Sequence, residues 1–315
     1  MKPAILLIGN NGQVGRELNR MLPQLGDVKS LGREQLDLSK PEEIRRVIRA
    51  FRPNVIVNAA AYTAVDRAES EQNLARAVNA EASAVIAQEA KTLDAFLIHY
   101  STDYVFDGTK TSPYTEQDPT NPTNVYGKTK LEGEVAIQQS GASNLIFRTA
   151  WVYASEGRNF LLTILRLATQ REELKIVCDQ TGAPTTSREI AKATTKILSQ
   201  IFAQGNGSYS PADGGGIFHM TAGGQTTWFG FTQAILEHAR KIDASTPWFA
   251  AATNGLPLMT RIVTPIPANE YPTPASRPAN SVLSNERLIQ VFSVRLPDWQ
   301  TQLASIFSNS QPRNW

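Results

Sequence analysis

The sequence predicts an α/β protein built on a doubly wound parallel sheet, with a smaller α+β region toward its C-terminus. Three observations predict it. Short runs that are apolar throughout alternate with longer helical patterns across the first 150 residues, as a parallel sheet covered on both faces requires. A glycine-rich turn, Gly9-Asn-Asn-Gly12-Gln-Val-Gly15, joins the first such run to the first helical pattern, which makes the sheet Rossmann-like. The chain has 315 residues, 41% hydrophobic and 19% charged. That suffices for one large or two ordinary domains at roughly 100–200 residues each and excludes a disordered or fibrous protein.

Residues 4–8 are the first strand, 14–22 the first helix and 28–31 the second strand. The second helix, 41–51, carries Pro41 in its first turn, and Ser39 followed three residues later by Glu42 predicts a capping box. Residues 55–57 are the third strand, 69–91 a long Ala-rich helix and 96–100 the fourth strand. The rhythm continues with helix 126–138, strand 145–147, helix 159–170, strand 174–177 and helix 188–202. Residues 205–216, rich in Gly, Ser and Pro, predict a surface loop or boundary. Beyond lie strands at 217–220 and 261–264, helices at 229–241, 285–291 and 297–307, and the proline-rich string Tyr271-Pro-Thr-Pro-Ala-Ser-Arg-Pro278. The expected division is a dinucleotide-binding domain at 1–151, continued by about 172–204, and a substrate-binding domain at 216–315 with about 152–171.

Composition narrows the function. With 31 basic and 29 acidic side chains the formal charge is +2, too little excess to drive nucleic-acid binding. A small molecule bearing phosphate fits better. The apolar run at 4–8 turns polar at Asn10, too soon for a signal segment or a membrane span, so the expected location is cytoplasmic. The single cysteine, Cys178, closes no internal disulfide, and His99, His219 and His238 lack zinc-ligand spacing.

The glycine turn is the cofactor signal. Its glycines let backbone N–H groups approach a pyrophosphate whose charge the helix N-terminus favours, although the G-x-x-G-x-x-G spacing alone is weak evidence. Asn58-Ala-Ala-Ala61 offers small side chains at the end of the third strand, leaving room for a flat ligand. The second strand ends Ser30-Leu-Gly32-Arg33, without the acidic residue that binds ribose hydroxyls in many NAD-binding proteins. Arg33 suits a ribose 2′-phosphate, or is simply a solvated loop residue. The expected cofactor is NADPH, with NADH the alternative. The expected contacts are Gly9, Asn11, Gly12, Gln13, Val14, Gly15, Arg33, Asp37, Leu38, Ala59, Ala60, Ala61 and Thr63, together with Tyr126 and Lys130.

Tyr126-Gly-Lys-Thr-Lys130 sets a tyrosine and a lysine four apart at a helix start, on one face. An ammonium favours the phenolate and brings the phenol toward working pH, and such a pair can pass a proton to a carbonyl oxygen as hydride reaches its carbon. By itself the spacing is also ordinary surface amphipathicity. The context is His99-Tyr-Ser-Thr-Asp-Tyr-Val-Phe-Asp-Gly108, which puts hydroxyls and a carboxylate at the ligand edge, with Thr102 24 residues before Tyr126.

Together with the glycine turn, this arrangement resembles the extended short-chain dehydrogenase/reductase family. Within it the chain is similar to the dTDP-4-dehydrorhamnose reductases, over nearly its whole length. The strings that carry the likeness are Val57-Asn-Ala-Ala-Ala-Tyr-Thr-Ala-Val-Asp66, Ser101-Thr-Asp-Tyr-Val-Phe106, Asn124-Val-Tyr-Gly-Lys-Thr-Lys-Leu131, Phe147-Arg-Thr-Ala-Trp-Val-Tyr153, Asp179-Gln-Thr-Gly-Ala-Pro184 and 271–278. The resemblance implies reduction of a dTDP-sugar at C4, with Tyr126 as proton donor, Lys130 on the nicotinamide ribose and Thr102 bonding the sugar ketone. It also implies substrate contacts from Thr102, Asp103, Tyr104 and Trp151, although Trp151 has an alternative place as a core aromatic. Some members pair through a magnesium ion held by glutamates from three regions. Glu17 matches the first, while Arg188 and Gln300 stand at the others, so the expectation is no metal and a monomer or weak homodimer. A non-catalytic regulatory subunit on the same fold, or another nucleotide-sugar reductase or epimerase, are the alternatives.

Overall fold

The apolar runs at 4–8, 55–58, 96–102 and 144–149 become strands because each is buried on both sides. In this computed structural model, which describes residues 2–203 and 215–308, β1 (Ala4–Ile8) is followed by α1 (Gln13–Met21), β2 (Asp27–Leu31), α2 (Pro41–Phe51) and β3 (Val55–Asn58). Next come α3 (Val65–Ala68), α4 (Gln72–Arg76), α5 (Ala82–Leu93), β4 (Phe96–Thr102), α6 (Val125–Gln139) and β5 (Asn144–Thr149). After β6 (Val152–Tyr153), α7 (Phe160–Ala168), β7 (Glu173–Val177), β8 (Thr181–Gly182) and β9 (Thr185–Thr186), the long α8 (Ser187–Ala203) returns to the sheet. The remainder is β10 (Gly216–His219), β11 (Thr226–Thr227), α9 (Trp228–Ala239), α10 (Pro247–Thr253), β12 (Ile262–Ile266), α11 (Glu286–Phe292) and α12 (Trp299–Ser308).

Six strands form one parallel sheet in the order β10-β5-β4-β3-β1-β2. Ile5, Leu6 and Leu7 are fully buried, each burial contributing about 1.5–3 kcal/mol. On one face Leu18 of α1 and Ile197 of α8 pack against Leu7, Val57 and Ile98. On the other, Ile44 and Ile48 of α2 and Ile86 of α5 cover Leu6, Ile56 and Leu97. A third cluster, around Leu165, Phe231, Phe249 and Trp299, belongs to the smaller region, where β7 pairs with β12. The strand order reverses between β1 and β3, and at that point the carboxyl ends of an open α/β sheet leave a crevice.

Four local expectations are corrected. The Ser39 capping box does not form: Lys40 occupies the N-cap without a side-chain bond, and Ser39 gives both its N–H and its hydroxyl to Asp37 Oδ1, at 3.0 and 2.7 Å. The helix expected at 69–91 starts three residues later, at Gln72, and runs from α4 to the end of α5 at Leu93 through a π-helical turn at Ala77–Glu81, with the short α3 ahead of it. The strand at 216–219, expected in the smaller region, pairs with β5 in the main sheet, while 173–177 leaves the sheet to pair with β12. Helix α10 was not expected, its seven residues being too few to show a clear period. The predicted loop at 205–216 lies, through residue 214, outside the described residues. Among the described residues no helix is long and apolar enough to cross a membrane.

Candidate active site

The turn after β1 is shaped by what each glycine touches. Gly9 has φ +93°, and a Cβ there would fall 2.6 Å from Ala60 N, so β1 and β3 approach closely only because the side chain is missing. Gly15 is closed the same way by the carbonyl of Gly9. Gly12, the N-cap of α1, is different: a Cβ would meet nothing nearer than 3.4 Å. Its side opens on the cleft, where the unpaired first-turn N–H groups of α1 favour an anion.

The cleft holds about 1250 Å³ and runs from this turn across the sheet edge to the smaller region. It is lined by Gly9, Asn11, Gly12, Gln13 and Val14 from the turn, Arg33, Asp37 and Leu38 beyond β2, and Ala59, Ala60, Ala61 and Thr63 beyond β3. Thr102, Asp103, Tyr104, Tyr126, Lys130 and Trp151 line it too, so the structure brings together every expected site residue except Gly15, which lies beneath Gly9. At Gly32 a Cβ would fall 2.6 Å from Asn11 Nδ2 and 2.9 Å from Asn10 Oδ1. A side chain there would have to displace the Asn10 and Asn11 amides.

Tyr126 is aimed by the start of α6. Asn124 caps that helix by accepting from Gly127 N at 2.8 Å, and Val125 N donates to a Glu69 carboxylate oxygen at 2.9 Å. Desolvation pushes the Tyr126 phenol up to about 12, Thr102 pulling it down by a hydrogen bond and Asp103 adding to the rise. The expected lowering by Lys130 is therefore overruled. The lysine amine is turned the other way, donating to the Tyr100 carbonyl at 2.6 Å and facing His99 Nε2 at 3.1 Å. Burial pushes that amine down to about 8, with Glu134 opposing. Thr102 Oγ1 donates to Asp103 Oδ1 at 2.9 Å and accepts from Tyr104 N at 3.2 Å. Burial raises the Asp103 carboxyl to about 7 against hydrogen bonds from Thr102 and Ser281. A protonated phenol beside a hydroxyl, at the ligand end of a parallel sheet, can give a proton to an oxyanion.

The far wall was largely missed from sequence. Trp228 stacks on Trp151, ring centroids 3.4 Å apart and 4° from parallel. Trp151 itself has φ +46° and fits only because position 182 is glycine, where a Cβ would lie 2.6 Å from its Nε1. Arg171, Lys175, Gln180 and Tyr271 complete this end. Arg277, in the proline-rich string, pairs with Asp66 at 2.8 Å and lines the cleft as well.

Glu17 Oε1 accepts from Arg20 at 2.8 Å, and Arg188 and Gln300, with which the sequence reading sets it, offer a cation no carboxylate. Among the described residues no group of three or more His, Cys, Asp or Glu side chains is placed to hold a metal ion.

Comparison with known proteins supplies the family. The family model described as the RmlD substrate binding domain matches residues 1–311. A dTDP-4-dehydrorhamnose reductase of Burkholderia thailandensis is 50% identical over 297 residues, covering 94% of this chain and 95% of that protein. The enzyme of the same name from Escherichia coli K12 is 44% identical over 300 residues, covering 94% of each. Among solved structures, the Clostridium acetobutylicum dTDP-4-dehydrorhamnose reductase aligns with TM-score 0.84 and 33% identity over 96% of this chain and 98% of that one. The Bacillus anthracis dTDP-4-dehydrorhamnose reductase in complex with NADP aligns with TM-score 0.84 and 30% identity over 98% and 99%. The cleft, the open glycine turn and the Thr102, Tyr126 and Lys130 cluster thus sit in a member of the dTDP-4-dehydrorhamnose reductase family.

Proposed function

We propose that the cleft binds NADPH along the glycine turn and a dTDP-linked 4-keto sugar along the Trp151 wall, and that Tyr126 protonates the sugar oxygen. The chain is an NAD(P)H-dependent oxidoreductase, and the reaction is reduction of dTDP-4-dehydro-L-rhamnose to dTDP-L-rhamnose. The cofactor fits on this structure's own terms. Gly12 leaves the helix start open, Ala59, Ala60 and Ala61 keep the floor flat, and position 32 carries nothing to repel a 2′-phosphate. When bound, NADPH supplies a hydride for C4 of the sugar.

The chain's own residues do the rest. Tyr126, kept as a phenol by desolvation, hands its proton to the oxygen at C4 as negative charge builds there. Thr102 offers its hydroxyl to the same oxygen, and Lys130 holds the ribose. Asp103, Tyr104 and Trp151 meet the sugar, and Arg171, Lys175 and Arg277 put positive charge along the far wall where a diphosphate would lie. The observation that carries this reading is the convergence of Thr102, Tyr126 and Lys130 on one cleft with the glycine turn. The protein is proposed to work in the cytoplasm as a monomer or weak homodimer with no bridging metal.

The test is turnover of dTDP-4-dehydro-L-rhamnose, followed by loss of NADPH absorbance. Tyr126→Phe should lower it about 10²–10⁴-fold while NADPH binding stays nearly intact. Wild-type turnover in that variant removes Tyr126 from the mechanism.

A further inference from the structure

Beneath the cleft four polar groups stand in a row. Ala60 N donates to Asn58 Oδ1 at 3.2 Å, Asn58 Nδ2 lies 3.1 Å from His99 Nδ1, and His99 Nε2 lies 3.1 Å from Lys130 Nζ. Asn58, His99 and Lys130 are each 1% exposed, so water does not settle who donates to whom. The backbone N–H of Ala60 can only donate, which fixes Oδ1 of Asn58 and turns the amide nitrogen toward the histidine. Nδ1 must then accept, leaving the proton of the neutral ring on Nε2, pointed at Lys130. An amine can accept that proton and an ammonium cannot. For Lys130 to be charged the row must reverse. Nε2 accepts, Nδ1 carries the proton, Asn58 turns its oxygen to the ring, and Ala60 N–H loses its acceptor.

We propose that His99, oriented by Asn58, is a positioning residue of the reduction: its ring proton has two seats, and the choice between them couples the charge on Lys130 to the backbone of the cofactor loop at Ala60. Ala60 and Lys130 both line the cleft. A cofactor seated there offers acceptors to the Lys130 ammonium, so binding selects the charged arrangement. Burial holds the His99 ring neutral in both, and in the charged arrangement the Lys130 ammonium adds to that effect. The other charged groups near the amine are Glu134, a turn further along α6, and its partner Arg148 on β5, whose Nη2 meets Glu134 at 2.6 Å. Tyr126, Tyr104 and Asp103 are titratable groups at this end of the cleft, with Arg277 and Asp66 acting on Tyr104. The inference rests on Tyr126 and Lys130 as the working pair, since a charge on Lys130 matters only if that pair does.

The ring can be watched directly. In the ¹⁵N spectrum of ligand-free wild type the His99 proton should sit on Nδ1 below the titration of Lys130, near pH 8, and on Nε2 above it. NADPH added at about pH 9 should return it to Nδ1. His99→Gln identifies the signal among the three histidines, and its carboxamide oxygen can face Lys130 permanently. Asn58→Asp also locks the charged arrangement, because a carboxylate accepts from both Ala60 N and Nδ1–H. In each variant the alkaline fall of kcat/KM should move upward by about one to two pH units, the scale of one hydrogen bond to a charged group. A purely structural role would lower kcat at every pH and leave that fall in place. One ring tautomer in wild type at all pH values, unaltered by NADPH, overturns the proposal even if neither variant folds, and so does a wild-type pH profile in both variants. Unimpaired Tyr126→Phe would instead remove the reading of the pair on which this rests.

Discussion

Replacing Arg33 with alanine tests how the cleft chooses its cofactor. Selection against NADPH usually comes from a carboxylate at the end of the second strand. Here Gly32 occupies that place, with the Asn10 and Asn11 amides 2.9 and 2.6 Å from where a Cβ would stand. Repulsion of a 2′-phosphate is therefore absent, and Arg33 adds attraction from the adjoining position of the cleft wall. A hydrogen bond to a charged group contributes about 1.5–3 kcal/mol when shielded, but exposed ion pairs keep only about 0.2–1 kcal/mol. Arg33 is exposed, so about 1 kcal/mol is the fair expectation, or about 5-fold in kcat/KM. Asp37 works against it. Its carboxyl is held below the usual range by Ser39, with Lys40 and Arg33 contributing, so it stays charged near the same cleft. The assay is kcat/KM for NADPH and NADH at low and high salt, in wild type and Arg33→Ala. Wild type should prefer NADPH, the variant should lose about 1.5- to 5-fold of that preference, and salt should shrink the difference. Equal use of both cofactors by wild type, or an unchanged ratio in the variant, refutes the role of Arg33.

Two further outcomes follow from the same geometry. Asp103 rises from 3.8 to about 7 on burial, so the folded chain binds this proton more tightly than the unfolded chain, and wild type loses stability as pH climbs through that window. Asp103→Asn removes the loss, and its melting temperature relative to wild type should gain steadily between about pH 4 and pH 7 and then level off, whereas a pH-independent difference contradicts the burial argument. EDTA should leave both molecular mass and turnover unchanged, because Arg188 and Gln300 stand where carboxylates would be needed; activity lost on chelation and restored by magnesium would show otherwise.

The four central strands of the main sheet were legible because residues buried on both faces must be apolar, and α2 fell on the predicted 41–51 because Pro41 favours a helix start. The capping box failed because the helix takes Lys40 as its N-cap, one residue later than the box requires, and Ser39 turns its N–H and hydroxyl back to Asp37. Pairing was the hidden quantity. The runs at 173–177 and 216–219 look alike as sequence, yet one joins β12 and the other β5, a choice made by packing far along the chain. The near wall of the site was readable because its residues follow strand ends in strings with turn chemistry. The far wall was not, since Trp228, Arg171 and Lys175 are single side chains from separate elements that meet only in the fold. A histidine inside an apolar strand likewise reads as core, and only the polar groups facing both ring nitrogens of His99 show more.

Hydride arriving at C4 of the sugar, with the proton coming from Tyr126, is the event on which the assignment stands. Wild-type protein should be supplied with dTDP-4-dehydro-L-rhamnose and NADPH carrying deuterium in both transferable positions of the nicotinamide, and the product read by NMR. The predicted result is dTDP-L-rhamnose with a single deuterium, at C4 of the sugar. Deuterium at another carbon, or NADPH consumed no faster with the sugar than without it, would contradict the assignment.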